Sequence, residues 1–358
     1  MTRREFILSS SALAVCGCRT SDGTDALRDE MRLCVDERLY SGLAVGSNRI
    51  APLVAGSRTL DGRLPVTAET LFDLASVGKT QTAALCSLLA ADGKLDPDAP
   101  FTEYLTEHVL ARENCRITVR DLATHSGGFD NAKPYTVADP ERMFEEVYRK
   151  RPVRPRGEKF DYACSNFLYL GRIVEKLTGL DLDVAAKRML WGPLGMNRTT
   201  WNTVTDDGNV MEYSPSTYEK AGRLRRIGEH NDVCCHLSPR PMGNGSCFST
   251  CGDMIAFVTD MLRRERFPKA YYDLMFTPCF EKDGVRRSFG WDMTAPASST
   301  HLYPQTGFSP RAIAHHGWTG PVIAVDPDRD FAGVVLGGRI AGNATTKDVC
   351  VRMLGLMA

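Results

Sequence analysis

The chain has 358 residues, 43% hydrophobic and 25% charged, with 44 basic and 44 acidic side chains and a formal net charge of zero. This is an ordinary globular composition, long enough for one large domain or two lobes, with about 75% of the unfolded surface buried on folding. A balanced charge excludes recruitment of nucleic acid or anionic membrane by net charge alone.

The N-terminus reads as an address. Thr2-Arg3-Arg4-Glu5-Phe6-Ile7 places paired arginines before an apolar run, Phe6 to Val15, that is too short to span a bilayer. Residues 1–18 are expected to be a signal peptide of the twin-arginine type, leaving 19–358 as the mature chain. Leu13-Ala14-Val15-Cys16 and Val15-Cys16-Gly17-Cys18 each resemble a bacterial lipoprotein cleavage box, and neither is an ideal match. Cys16 and Cys18 are therefore the lipidation candidates, and a soluble exported protein is the alternative. The expected location is outside the bacterial cytoplasm, in the periplasm or on a lipid anchor. No other segment is apolar enough to cross a membrane.

Twelve cysteines are many, and ten lie beyond Cys18. An even count in an exported protein invites disulfides, but the twin-arginine route exports protein folded in a reducing cytoplasm. Cys86 lies in an apolar helical run and reads as a small core residue. Cys234-Cys235-His236 with Cys247 and Cys251 can be drawn as a metal cluster, yet the spacing fits no standard zinc pattern. Neither metal nor organic cofactor is expected.

Ala26 to Leu39 has amphipathic helical spacing. Leu43 to Val45 and Ile50 to Ala55, split by Gly46-Ser47-Asn48-Arg49, read as strand, turn, strand. Ser76-Val77-Gly78-Lys79 follows, directly ahead of an apolar helix from Thr82 to Ala91 that stops at Asp92-Gly93. Three residues apart on a helix, Ser76 and Lys79 share one face. A serine hydroxyl is a weak nucleophile until a base takes its proton, and a desolvated lysine amine can be that base. A helix N-terminus adds free N–H groups that favour an anion beside Ser76. Alone, the tetrad reads more readily as an N-cap serine with a solvated lysine.

Thr118-Val119-Arg120-Asp121 resembles a capping box. Ser126, with Gly127 and Gly128, resembles a chymotrypsin-type serine only superficially, because the preceding aspartate is missing; His125 and Ser126 read as structural. The basic run Arg149 to Lys159, broken by two prolines, reads as a solvated loop. Phe160-Asp161-Tyr162-Ala163-Cys164-Ser165-Asn166 opens a helix that Gly179 ends, and another helix lies near Asp183 to Leu190. Gly243-Asn244-Gly245-Ser246 is a glycine-rich loop running into Phe248-Ser249-Thr250 and an apolar helix from Met254 to Leu262. Phe289 to Met293, Ala312 to His316, Val322 to Val325 and Phe331 to Leu336 read as strands, with a turn over Asp326 to Asp330. A last helix covers about Thr345 to Leu356. There are no internal repeats, linkers or low-complexity tracts. The order predicts an α/β (α+β) chain whose sheet comes from both ends, about 26–75 and 285–358, with a mostly helical lobe, about 76–284, inserted between them.

This pattern resembles the serine β-lactamase and penicillin-binding protein family, in the branch of class C β-lactamases, D-alanyl-D-alanine carboxypeptidases, D-aminopeptidases and esterases. The resemblance runs from about Ala26 to the C-terminus. Its landmarks are collinear: Leu71 to Thr80 around Ser76, Val119 to Gly128, Tyr162 with its helix, Pro193-Leu194-Gly195-Met196, Phe248 to Asp253, and His315-His316-Gly317-Trp318-Thr319-Gly320 with Asp326-Pro327 behind it. It implies the β-lactamase/DD-peptidase-like fold, an antiparallel sheet flanked by helices. It also implies roles. Ser76 is the acylated nucleophile, Lys79 accepts or shuttles its proton, and Tyr162 is the second acid/base, its phenol pKa lowered by the neighbouring ammonium. His315-His316-Gly317 is an edge strand lining the pocket, and the N–H groups of Ser76 and Trp318 form the oxyanion hole.

Two departures bear on substrate. His315 stands where β-lactamases usually carry a lysine for the substrate carboxylate, and is mostly neutral at pH 7. Cys164 stands where class C enzymes carry an amide-binding asparagine, with Asn166 two residues on. The resemblance therefore implies an exported acyl hydrolase acting on a small-molecule ester, a D-amino-acid peptide or a cell-wall fragment, with little penicillin hydrolysis. A non-catalytic lipoprotein that binds or senses cell-wall fragments is the alternative. No Gly-x-Ser-x-Gly elbow and no His-Glu-x-x-His pattern occurs.

Overall fold

The apolar runs near the two ends of the chain form one sheet. The computed structural model describes residues 24–113, 115–132, 140–204, 208–212, 227–238, 240–293, 307–340 and 346–358. Its strands are β1 (Tyr40–Ser47), β2 (Leu53–Gly56), β3 (Phe72–Asp73), β4 (Phe248–Ser249), β5 (Phe280–Lys282), β6 (Val285–Ser288), β7 (Trp291–Met293), β8 (Ile313–His316), β9 (Val322–Asp326) and β10 (Phe331–Arg339). Eight of them make a sheet in the order β2-β1-β10-β9-β8-β7-β6-β5, antiparallel at every step. β3 and β4 pair separately.

Side-chain alternation feeds two cores. Leu43, Val45, Ala324, Phe331 and Val335 face the two terminal helices, Asp25–Asp36 and Thr346–Met357, through Leu27, Met31, Val351 and Leu354. Ala44, Ile323, Val325, Val334 and Leu336 face the larger core shared with the helices Gly78–Ala91, Cys164–Thr178 and Cys251–Arg263. Strands apolar on both faces need cover on both, which explains their near-continuous hydrophobic runs. The helix Gly78–Ala91 is buried from Gly78 through Leu89, so it crosses the interior instead of presenting one stripe.

Elements beyond the sequence reading include β5, β6 and the helices Pro140–Arg149, Val233–Leu237 and Lys269–Phe276. The strands are short and charged, so they carry no clear alternation. Their signal is the turn between them. Asp283 and Gly284 both have positive φ, 51° and 76°, as an Asp-Gly hairpin turn demands. The capping box at Thr118 is present, with Thr118 and Asp121 bonding each other's backbone N–H. In the basic run, Lys150, Arg151, Arg154 and Arg156 pair with Asp130, Glu113, Asp161 and Asp121, so it is no open anion patch. Among the described residues no helix is long and apolar enough to cross a membrane.

Candidate active site

Ser76 lies in a tight turn, Ala75–Val77, that runs directly into the helix Gly78–Ala91. Ala75 has φ of 45°, a left-handed conformation unfavourable for a residue with a Cβ. Two bonds hold it. Its N–H donates to Asp73 Oδ1 at 2.7 Å, and its carbonyl accepts from the Ser246 N–H at 2.8 Å. The glycine-rich loop is the backing of this turn. Gly245 has φ of 146°, and a Cβ there would lie 2.6 Å from the Ala75 carbonyl oxygen, so only glycine fits.

One turn on, Lys79 is fully buried. Its Nζ donates to Ser76 Oγ at 3.1 Å and to the carbonyl of Asn244, and lies 5.0 Å from the Tyr162 ring centroid. Burial opposes charge on this amine, while the negative charge that Cys164 and Tyr162 carry when ionised favours it; the net shift is upward. Tyr162 donates to Ser76 Oγ at 2.7 Å. Burial raises its pKa and the Lys79 charge lowers it; the net shift is upward. This corrects the sequence expectation of a lowered phenol pKa, which weighed the ammonium and left out desolvation. At neutral pH an ammonium and a phenol both aim protons at Ser76 Oγ.

Tyr162 is held from both sides by His125. The Asp161 N–H donates to the His125 carbonyl at 2.8 Å, and the Ala163 N–H donates to His125 Nδ1 at 3.2 Å. The imidazole itself lies 4.4 Å, centroid to centroid, from the phenol ring. Asn166 also bonds Nδ1, at 3.0 Å, from inside the helix. Cys164, not Asn166, is thus the residue on Lys79, with Sγ 3.8 Å from Nζ.

The fourth component is the end of β8. In sheet order β8 is interior, between β9 and β7, which corrects its expected place as an edge strand. The physical reason is that β7 pairs with it only through Asp292–Ala314 and Met293–Ile313, so His315 and His316 run past β7 with one side of their backbone unpaired by it. His315 is buried, and its Nδ1 donates to the His316 carbonyl at 3.0 Å, which leaves Nε2 as an acceptor with no partner among the described residues. Burial first, then the charges of Arg287 and Lys79, push its pKa well below the ordinary histidine value, so it is neutral. The following turn is tied to the nucleophile: Thr319 Oγ1 donates to the Asp73 carbonyl at 2.7 Å, and a Cβ on Gly317 would lie 2.5 Å from the Leu74 carbonyl oxygen. Ser76 and Trp318 consequently line the same two cavities.

Comparison with known proteins agrees with this architecture. The family model described as Beta-lactamase matches residues 37–342. The chain belongs to the beta-lactamase family. An Escherichia coli O157:H7 protein named "Putative D-alanyl-D-alanine carboxypeptidase" is 27% identical over 323 residues, covering 79% of this chain and 72% of that protein. Among solved structures, "EstCE1, a hydrolase with promiscuous acyltransferase activity" superposes with a TM-score of 0.77 at 18% identity, covering 94% of this chain and 98% of the other. "A class C beta-lactamase" gives 0.76 at 19% identity, covering 94% and 96%.

This beta-lactamase-family serine hydrolase thus brings together Ser76, Lys79, Tyr162, Cys164, His315, His316, Gly317 and Trp318 around two cavities. Cys16 and Cys18 lie outside the described residues. The ten cysteines beyond them are free thiols, and Cys234, Cys235, Cys247 and Cys251 pack in the larger core. Sequence reasoning missed Arg287 and Asp292, an ion pair almost fully buried in the wall of the larger cavity. Arg287 also lies 5.0 Å from the Phe160 ring. Nothing in Arg286-Arg287 distinguishes an inward from an outward arginine until the hairpin register is known. Removing one partner of a buried pair strands the other charge at a cost of about 3–5 kcal/mol. Asp292→Ala is therefore expected to lower the unfolding free energy in urea by about that much, and the double substitution Arg287→Met/Asp292→Leu by clearly less. Equal losses would show that a stranded Arg287 carries no penalty of its own.

Proposed function

We propose that the chain is an exported serine acyl hydrolase that forms an acyl-enzyme on Ser76. Its substrate is an ester or a D-amino-acid or cell-wall peptide, with penicillin a poor one. The observation that carries this reading is the double hydrogen bond onto Ser76 Oγ, from Lys79 Nζ at 3.1 Å and Tyr162 OH at 2.7 Å. A solvated N-cap serine has no need of two buried proton donors. The Ser76 proton needs a base, so the reactive form is the one in which the Lys79–Tyr162 couple has lost one proton. Either atom then receives the Ser76 proton as Oγ attacks the carbonyl carbon, and the couple returns it to the leaving group. The N–H groups of Ser76 and Trp318 take the oxyanion. Water then repeats the sequence and frees the acid.

The neutral His315 and the thiol of Cys164 support weak penicillin hydrolysis. Neither supplies the cation or the amide that suit a β-lactam carboxylate and side chain. The names of the relatives, a carboxypeptidase and a hydrolase with acyltransferase activity, bracket the same substrate range. Export through residues 1–18, with Cys16 or Cys18 as the lipid site, fits a cell-envelope substrate.

The test is intact mass of residues 19–358 after brief exposure to an activated ester and, separately, to a penicillin, with Ser76→Ala alongside. A short-lived ester adduct on Ser76 with turnover is expected. A long-lived penicillin adduct would make the protein a penicillin-binding peptidase, and rapid penicillin turnover would refute weak β-lactamase activity. No adduct from either reagent on folded protein would move the reading to a binding or sensing lipoprotein.

A further inference from the structure

Trp318 does not behave as a core residue. Trp191, Trp201 and Trp291 are buried, whereas Trp318 is 48% exposed, on the lip shared by both cavities beside Ser76. An exposed indole leaves a large apolar surface in water. Two features keep it there. Its backbone is fixed by the Thr319 bond to Asp73 and by Gly317 against Leu74. Its ring is capped by Arg339, whose guanidinium lies 4.8 Å from the ring centre. Among the described residues no carboxylate pairs with Arg339, so the indole is the partner of that cation. The Arg339 N–H in turn donates to the Thr319 carbonyl at 3.0 Å, which closes the clamp.

The cavity in front of this ring, about 430 Å³, continues the same chemistry. Tyr40, Phe160 and Val322 line it, and its Arg287 charge is met by Asp292. An apolar wall opening at a nucleophile asks for an apolar group on the substrate. We propose that the clamped Trp318 indole is a substrate platform, and that the substrate carries an aromatic group that packs on it. The platform rests on the acyl-hydrolase reading for its reaction, not for its binding. The aromatic group can sit on the alcohol or the acyl side of the scissile bond, and two isomeric esters separate these cases.

The experiment uses 2-phenylethyl acetate, ethyl phenylacetate and ethyl acetate, whose alcohols differ little in leaving-group quality. In Ser76→Ala protein, which holds ester without turning it over, iodide quenching reports Trp318, the exposed tryptophan among the described residues. At least one aromatic ester is expected to shield this emission saturably, ethyl acetate is not, and Trp318→Phe loses the shielded signal. In the Ser76 protein the ratio of kcat/KM for the preferred aromatic ester over ethyl acetate is expected to be about tenfold or more. Trp318→Ala should bring that ratio close to one, Trp318→Phe should keep most of it, and Arg339→Met should fall between. No shielding by either aromatic ester, or a ratio that Trp318→Ala leaves intact, overturns the platform. Shielding without turnover of any ester supports the platform while refuting the ester arm of the hydrolase reading.

Discussion

Replacing Lys79 with methionine is expected to lower kcat/KM on an activated ester by about 10³-fold or more, with Tyr162→Phe losing about 10²–10⁴-fold. Both side chains reach Ser76 Oγ, so each removes one route for its proton. The two losses should not add, because the residues act as one couple. The pH profile supplies the independent check. Both pKa values lie above their ordinary ones, so the couple is fully protonated at neutrality and the reactive, once-deprotonated fraction grows as pH rises. In the wild type kcat/KM should therefore climb through the alkaline range. It should show no step near pH 6.5, since His315 is already neutral there. Lys79→Met should lose the alkaline climb or move it. A wild-type profile that is flat from pH 7 to 10, or a Lys79→Met enzyme of undiminished rate, would remove the couple from the mechanism.

The parts legible in the sequence are those that periodicity or a tight motif carries. The strands β1, β8, β9 and β10 came through because they are apolar runs between turn residues. The Ser76–Lys79 spacing came through because a helix puts positions three apart on one face. What stayed hidden depends on partners distant in sequence. Asn244 touches Lys79 through its carbonyl, which no side-chain pattern announces. Arg287 becomes a pocket residue only once β6 pairs with β7 and sets Arg287 opposite Asp292. His125 was read as structural, and its ring and carbonyl do hold backbone; what the sequence could not show is that the backbone held is that of Asp161 and Ala163, on either side of Tyr162. The Tyr162 pKa went the wrong way because burial cannot be read from neighbours in sequence.

The same interior histidines give the second large effect, on stability toward acid. His108, His125, His230 and His315 are all buried. Burial lowers the pKa of each, for His108 to about 4, and the charges of Arg287 and Lys79 add to it at His125 and His315. In the unfolded chain each titrates near 6.5. Below that pH the unfolded state binds protons that the folded state refuses, so stability rises with pH and is lost as pH falls from about 6.5 toward the folded values. A group in this state contributes at most about 1.4 kcal/mol per pH unit, and the four act in the same direction. Glu175, Asp253 and Asp260, raised by burial, act in the opposite sense: between the unfolded value near 4 and their raised folded values the folded state takes up protons first, so they offset part of the fall in the same window. Urea midpoints measured from pH 7.5 to 4.5 should fall steeply below 6.5. His108→Asn, which can still accept the Leu110 N–H that His108 Nδ1 accepts at 3.2 Å, should flatten the fall by about one group's share. A midpoint that holds constant down to pH 5 would mean that these histidines bind protons in the folded state, and the neutral His315 on which weak penicillin hydrolysis rests would fall with it.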